Sequence, residues 1–280
     1  MRPPDYTQEA TVSPVWEVGK PANVVFAAQS ANAWRIIVEE MLGGARITYL
    51  GHSAFRFVTA GDEQIIIDPF LRNNAHCPEE LKQVGELDTM LITHGHFDHF
   101  DDVEPLWGQT GARTLSNFEI MSYLQHQGVE NAEPIMKGGS AEVGGIKVTA
   151  TNAFHSSSIA LDDGSSIYGG EPLGYVVEFE SGFKLYHAGD TCLFGDMRLI
   201  GELYDPDIAF LPIGDRLTMG PLEAAHATRL LGVEHVVPMH FSTDVMPFFT
   251  GTPEKFQELA ADIAPNATVH VMKPGDDLAS

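Results

Sequence analysis

The chain is 280 residues long, with 39 Asp and Glu against 16 Lys and Arg, a formal net charge of −23. Such a surface repels phosphate backbones and anionic lipid, which argues against nucleic acid and against polybasic membrane contact. With 44% apolar residues, 27 Gly and 17 Pro, the composition is that of a globular chain able to bury a core without disulfides or a structural metal.

Residues 1–30 carry turn signals (Pro3-Pro4, Pro14, Pro21) and little periodicity. Trp34, Ile37, Val38, Met41 and Leu42 then fall at i, i+3, i+4, i+7 and i+8, which predicts an amphipathic helix stopped by Gly43-Gly44. Residues 1–45 thus read as an arm ahead of a main domain at 46–280, packed on it or on a second subunit; Met41 is also a candidate internal start. From Arg46 the pattern turns to short β-rich runs: Ile47 to Leu50, Ala54 to Val58 and Gln64 to Ile67, with a hairpin turn at Gly61-Asp62, and then Leu87 to Thr93. Ser116 with Glu119 reads as a capping box for a helix closed by Gly128. Later strands are expected at 146–151, 175–179, 183–186, 208–212, 236–239 and 269–272. A helix led by Pro221 ends at Gly232, and Thr252-Pro253-Glu254 opens a last one through Ile263. Strands interleaved with helices, without a linker after residue 45, predict a single α/β domain.

Cys77 and Cys192 are too few for a disulfide framework and point to a reducing compartment. No apolar run approaches the roughly 18 residues of a membrane span, and Val24 to Ala28 is too short for a signal-peptide core. The expected location is cytoplasmic. Cys192 is expected to be a buried, inert thiol.

The informative stretch is Thr93-His94-Gly95-His96-Phe97-Asp98-His99, directly after the apolar run Met90-Leu91-Ile92. His94 and His96 are two apart, so an extended backbone points both imidazoles the same way, and a following turn swings Asp98 and His99 toward the same space. Nitrogen and oxygen ligands of this kind suit zinc or manganese. Four residues cannot close two coordination spheres. Three other β-rich runs each end just before a His or Asp, at His155, Asp190 and His240, and supply what two metals lack.

These seven residues, with Gly51-His52-Ser53, Ile67-Asp68-Pro69, Phe154-His155-Ser156, His187-Ala188-Gly189-Asp190 and Pro238-Met239-His240, resemble the metallo-β-lactamase-fold superfamily. The details look closest to its ascorbate-6-phosphate-lactonase-like branch and a related group of metal-dependent hydrolases. The resemblance spans about residues 46–274. It implies a four-layer αββα sandwich with a dinuclear site at one edge of its sheets. His94, His96 and His155 would hold one divalent ion, Zn2+ or Mn2+. Asp98, His99 and His240 would hold the second, and Asp190 would bridge them. Asp98 is the expected catalytic residue, orienting a metal-bridging hydroxide and moving a proton. Asp68 is the expected brace of the metal loop, with His52 and Ser53 as weaker candidates behind the ligands.

The implied activity is hydrolysis of a small ester-like bond: a lactone, a cyclic amide, or a phosphate or sulfate ester. A nuclease or phosphodiesterase of the same fold is the first rival, opposed by the acidic charge, and a noncatalytic metal sensor the second. Arg72, Lys137, Lys184 and Arg216 are scattered candidates for an anion grip, while Asp162 and Asp163 near the expected mouth favour a small neutral or singly charged substrate. The apolar stripe of the 34–42 helix is the candidate surface for a homo-oligomer.

Overall fold

The computed structural model describes residues 31–279; the expected arm before residue 31 lies outside them. The elements in chain order are α1 (Ala31–Leu42), β1 (Arg46–Gly51), β2 (Ala54–Val58), β3 (Gln64–Ile67), β4 (Thr89–Leu91), α2 (Phe97–Phe100), α3 (Val103–Thr110), β5 (Arg113–Ser116), α4 (Phe118–His126), β6 (Ala132–Pro134), β7 (Ser140–Val143) and β8 (Ile146–Asn152). They continue with β9 (Ser158–Ala160), β10 (Ser166–Tyr168), β11 (Leu173–Glu178), β12 (Lys184–His187), α5 (Met197–Tyr204), β13 (Ile208–Pro212), α6 (Pro221–Leu231), β14 (His235–Met239), α7 (Pro253–Ile263) and β15 (Thr268–Val269).

Strands β1 to β6 form one sheet in sequence order, antiparallel through β3 and parallel from there. The second sheet runs β15-β14-β13-β12-β11-β8-β7, parallel from β12 to β15. Successive side chains of a strand point to opposite faces and so enter different layers. Ile65 and Ile67 of β3 face Val148, Tyr175 and Phe210 of the second sheet across the central core. Ile66 points the other way, into a layer with Phe100, Val103, Ile120 and Leu124 from α2, α3 and α4. On the outer face of the second sheet Tyr186, Leu211 and Val236 pack with Met197, Ala224, Leu231 and Phe256 of α5, α6 and α7. The result is the expected α/β sandwich of four layers. Both sheets are covered on both faces, so their strands are apolar on consecutive positions.

Helix α1 takes the predicted place, and its stripe is spent within the chain. Val38 and Leu42 join the central core, and Trp34 stacks on His270 with ring centroids 3.7 Å apart. The segment after β15 then crosses to the first sheet, where Gly275, Asp276 and Leu278 bond the backbone of Tyr49 and Ile47 and cover the open edge of β1. One expectation is corrected. The cap of α4 is Asn117, whose Oδ1 accepts from the Ile120 N–H at 2.9 Å. Ser116 is still held in the β5 ladder opposite Pro134, so the chain leaves the strand one residue later than the Ser116–Glu119 pattern implies. No helix among the described residues is long and apolar enough to cross a membrane.

Candidate metal centre

The site gathers at the ends of β4, β8, β12 and β14. Past β4, the Thr93 N–H bonds to Asp68 Oδ1 at 2.7 Å, and His94, Gly95 and His96 follow before α2 begins. The extended conformation of His96 brings His94 Nε2 and His96 Nδ1 to 3.0 Å. The single turn of α2 then folds Asp98 and His99 back. Asp190 is reached through Gly189, whose φ of +61° and backbone contact with Leu173 O, 2.5 Å from where a Cβ would sit, leave room for no side chain.

The chain brings together all seven residues singled out as ligands. Ligand atoms of His94, His96 and His155 lie within 4.8 Å of one another, and so do those of Asp98, His99, His240 and His52. The Asp190 carboxylate lies between the two groups. Its Oδ2 is 3.0 Å from His240 Nε2, 3.6 Å from His155 Nε2 and 4.0 Å from His94 Nε2, while Oδ1 is 3.4 Å from His99 Nε2. His96 and His155 are partly exposed, whereas His94, His99 and His240 are fully buried, so the first two form the mouth and the other three the floor.

Hydrogen bonding sets which nitrogens are bare. Asp68 Oδ2 accepts from the Thr93 hydroxyl at 2.7 Å and from His99 Nδ1 at 2.8 Å. With its proton directed at Asp68, Thr93 Oγ1 accepts from His94 Nδ1 at 3.0 Å. In their neutral form both histidines therefore present an unprotonated Nε2 to the site, a tautomer assigned from its partners. His99 Nε2, His240 Nε2 and Asp190 Oδ1 are buried without any hydrogen-bond partner, an arrangement that costs energy unless something else satisfies it.

The electrostatics divide the imidazoles into two sets. Burial, and for His96 the neighbouring imidazoles, lower the pKa of His94, His96 and His155, which keeps them neutral. Burial opposes protonation of His99 and His240 too, but the carboxylates overcome it. Asp190, Asp68 and Asp98 hold His99 well above its ordinary range, and Asp190 and Asp98 raise His240 to about 9. Burial would raise Asp98 and Asp190, yet the surrounding imidazoles hold both well below the usual carboxylate range. Ionised carboxylates thus hold positive charge on His99 and His240, as protons that a divalent cation would displace from the same nitrogens. Five imidazoles and two carboxylates of this kind fit divalent metal ions of borderline softness.

Among the residues expected behind the ligands, Asp68 contacts both the metal loop and His99, fully buried. His52 is closer to the chemistry than a brace, with Nε2 2.9 Å from Asp98 Oδ2 and its ring 4.0 Å from that of His240. Ser53 is buried, but its hydroxyl has no partner; only its carbonyl acts, accepting from His187 Nε2 at 3.0 Å. Ser156 Oγ lies 3.4 Å from His96 Nε2. Cys192, expected to be buried, is exposed, on a turn whose N–H bonds to Phe154 O beside another exposed side chain. Sequence reasoning passed over Thr93, whose hydroxyl orients His94, and His76, which lies with His52 on a cavity of about 330 Å³ and pairs with Asp244 at 3.0 Å. A Thr between an apolar strand and a ligand was the only available signal for Thr93.

Comparison with known proteins agrees with this geometry. Residues 63–241 match the β-lactamase superfamily domain. A UPF0173 metal-dependent hydrolase of Rubrobacter xylanophilus is 66% identical over 244 residues, 87% of this chain and 100% of that protein. Another, from Koribacter versatilis, is 46% identical over 238 residues, 84% of this chain and 98% of that protein. Among solved structures, Igni18, a metallo hydrolase from the hyperthermophilic archaeon Ignicoccus hospitalis, superposes with a TM-score of 0.71 at 36% identity, covering 83% of this chain and 97% of that one. The chain is thus a member of the metallo-β-lactamase superfamily, in its UPF0173 family of metal-dependent hydrolases.

Proposed function

We propose that the chain is a dinuclear hydrolase of a small ester-like bond. The reading assigns His94, His96 and His155 to one divalent ion, Zn2+ or Mn2+, and Asp98, His99 and His240 to a second, with Asp190 between them. One observation carries it: a single buried carboxylate within 3.0 to 4.0 Å of imidazole nitrogens from both groups, with three ligand atoms left unbonded. When bound, such ions acidify a water toward neutral pH and polarise the electrophilic oxygen of the substrate.

The remaining work falls to the chain's own residues. Asp98 stays ionised beside His99, His240 and His52 and is the group to take a proton from the attacking water and return it to the leaving group, an oxygen in an ester or a nitrogen in a cyclic amide. His52 positions it by holding Oδ2 at 2.9 Å. Asp68 and Thr93 fix the tautomers of His99 and His94, so that both approach the ions as neutral ligands. The partly exposed His96 and His155 flank the approach, and Phe97 and Phe154 beside them are exposed. That apolar rim and the charge of −23 support a small-molecule substrate over a nucleic acid. The test is elemental analysis after reconstitution with Zn2+ or Mn2+, followed by a panel of lactones, cyclic amides, and phosphate and sulfate esters with and without chelator. Two ions per chain and chelator-sensitive hydrolysis are expected. One ion per chain, or activity that survives complete metal removal, overturns the proposal.

A further inference from the structure

Four cations were candidates for an anion grip, and the fold disposes of three. Arg72 is bound to buried Asp102 and to Asp101 O. Lys137 pairs with Glu171 at 3.2 Å. Lys184 opens β12, at the end opposite Asp190.

Arg216 differs. It is exposed, its guanidinium lies 4.8 Å from the centroid of Phe248, and it forms no ion pair with another described residue. Its backbone is held in an unfavourable shape: Asp215 and Arg216 are consecutive non-glycine residues at φ +66° and +57°, a conformation that persists only where its surroundings enforce it. Asp215 enforces it by accepting from the Arg216 N–H at 2.7 Å and from Thr250 Oγ1 at 2.6 Å. Those bonds also occupy the carboxylate nearest in sequence to the guanidinium. Further along the loop, Met219 N–H bonds to Thr191 O, next to Asp190.

The loop is attached to the metal centre on its other side as well. A Cβ on Gly214 would lie 2.3 Å from His240 O, so the chain leaving β13 runs directly against a ligand residue. An aromatic wall joins the same two points. Phe248 meets Phe249 edge-on at 5.7 Å, and Phe249 lies 5.1 Å from the ring of His240. Phe249 and His240 are buried, so of these rings only Phe248 offers an exposed apolar face, and it lies beside a guanidinium that has no ion pair among the described residues.

We propose that Arg216 is a specificity-determining residue that takes an anionic group on the distal end of the substrate. The reacting bond lies among the imidazoles, an apolar body lies against the exposed ring of Phe248, and a carboxylate or a phosphate monoester meets the guanidinium. Arg216 suits this role because its planar fork can give two N–H donors to one anion while remaining over an aromatic ring. The proposal rests on the hydrolase reading for what happens at the near end, but not for the anion itself.

The test uses the metal-reconstituted full chain and Arg216→Ala and Arg216→Lys, with binding followed by calorimetry. The probes are octanoate, octyl phosphate and uncharged octan-1-ol, with acetate as a small anion that can reach the metals without spanning to Arg216. Arg216→Ala is expected to weaken octanoate or octyl phosphate about tenfold, with Arg216→Lys in between and octan-1-ol and acetate unchanged. Whichever long anion loses more identifies the headgroup. Equal affinity of wild type and Arg216→Ala for both long anions, or an equal loss for acetate, overturns the proposal. Failure of the two readings is separable. A tenfold binding defect without hydrolysis of any ester refutes only the hydrolase reading, and chelator-sensitive hydrolysis without a binding defect refutes only the role of Arg216.

Discussion

Replacing Asp68 by Asn separates the shape of the metal loop from its charge. Asn is among the residues that tolerate the left-handed conformation, so the backbone at φ +50° survives the change. Its amide oxygen can still accept from the Thr93 N–H, which Asp68 Oδ1 does now at 2.7 Å. Its amide nitrogen cannot accept from His99 Nδ1, the bond that Oδ2 makes at 2.8 Å. Two outcomes are open to His99. If Nδ1 keeps its proton, a buried charge-assisted hydrogen bond is lost, about 1.5 to 3 kcal/mol, which for a chain of this size lowers Tm by about 5 °C. If the proton moves to Nε2, Nδ1 can accept from the amide, but the nitrogen facing the site is blocked. Either way the affinity of the Asp98–His99–His240 group for metal falls, by about 10- to 100-fold as for other partners of metal-bound histidines. The assay is competition of the reconstituted protein against a chelator of known affinity, with Tm recorded on the same samples. Wild-type affinity for both equivalents of metal in Asp68→Asn would refute the assignment of Asp68 as the residue that sets the His99 tautomer.

Asp98→Ala is expected to lower kcat of the reconstituted protein by about 10²- to 10⁴-fold; wild-type turnover with wild-type metal content contradicts its role. His235 and His270 are packed under Trp34 with pKa values lowered by burial to about 4 and about 3. The unfolded chain therefore binds protons there that the folded chain does not. Stability is unaffected above pH 6.5 and falls as pH drops from 6.5 toward 4, by up to about 1.4 kcal/mol per unit for each group that titrates only when unfolded. Urea midpoints measured across that range should fall less steeply in His270→Phe, which keeps a ring against Trp34; an unchanged slope counts against it. Asn117→Ala removes a helix cap and the donor to Gly169 O and Glu171 O, a loss of about 3 kcal/mol in urea unfolding. Ser116→Ala should cost less than about 1 kcal/mol, and the reverse order restores Ser116 as the cap.

The residues that meet at the site were legible because each is a polar residue placed just past an apolar strand, where a bland sequence continues with turn residues. Side-chain period two was enough to predict that His94 and His96 face together. The layers were not legible from periodicity. Ile65, Ile66 and Ile67 are equally apolar, and only the covering of the first sheet by α2, α3 and α4 separates the outward Ile66 from its neighbours. Contacts between residues distant in sequence were hidden for the same reason. His52 and Asp98 are 46 positions apart, and Gly51-His52-Ser53 carries no local mark that distinguishes a partner of the Asp98 carboxylate from an ordinary buried histidine. The exposure of Cys192 depends on which way one turn faces after Asp190, and nothing in the residues beside it selects that direction.

Backbone conformation ties the site to the stability of the fold. His52, Asp68 and His240 have φ of +59°, +50° and +57°, a region that glycine enters freely and other residues enter at a cost of about 1 to 3 kcal/mol each. Glycine would relieve that cost at all three positions, yet each position needs its side chain: one holds Asp98, one sets the His99 tautomer, and one offers its Nε2 to Asp190. The strain is held in place by bonds between these same segments. His240 N–H bonds to His52 O at 2.9 Å, and Asp68 N–H to Leu91 O at 2.9 Å, just before the metal loop. A residue in this group therefore cannot relax without moving a ligand, and a ligand cannot move without breaking a backbone bond between strands. Metal binding, which satisfies the orphaned nitrogens, offsets part of this stored cost. The segments around these three residues should accordingly be where amide exchange slows most when metal is added to the apo protein. Protection that rises evenly over the whole chain would mean that the strain is borne elsewhere.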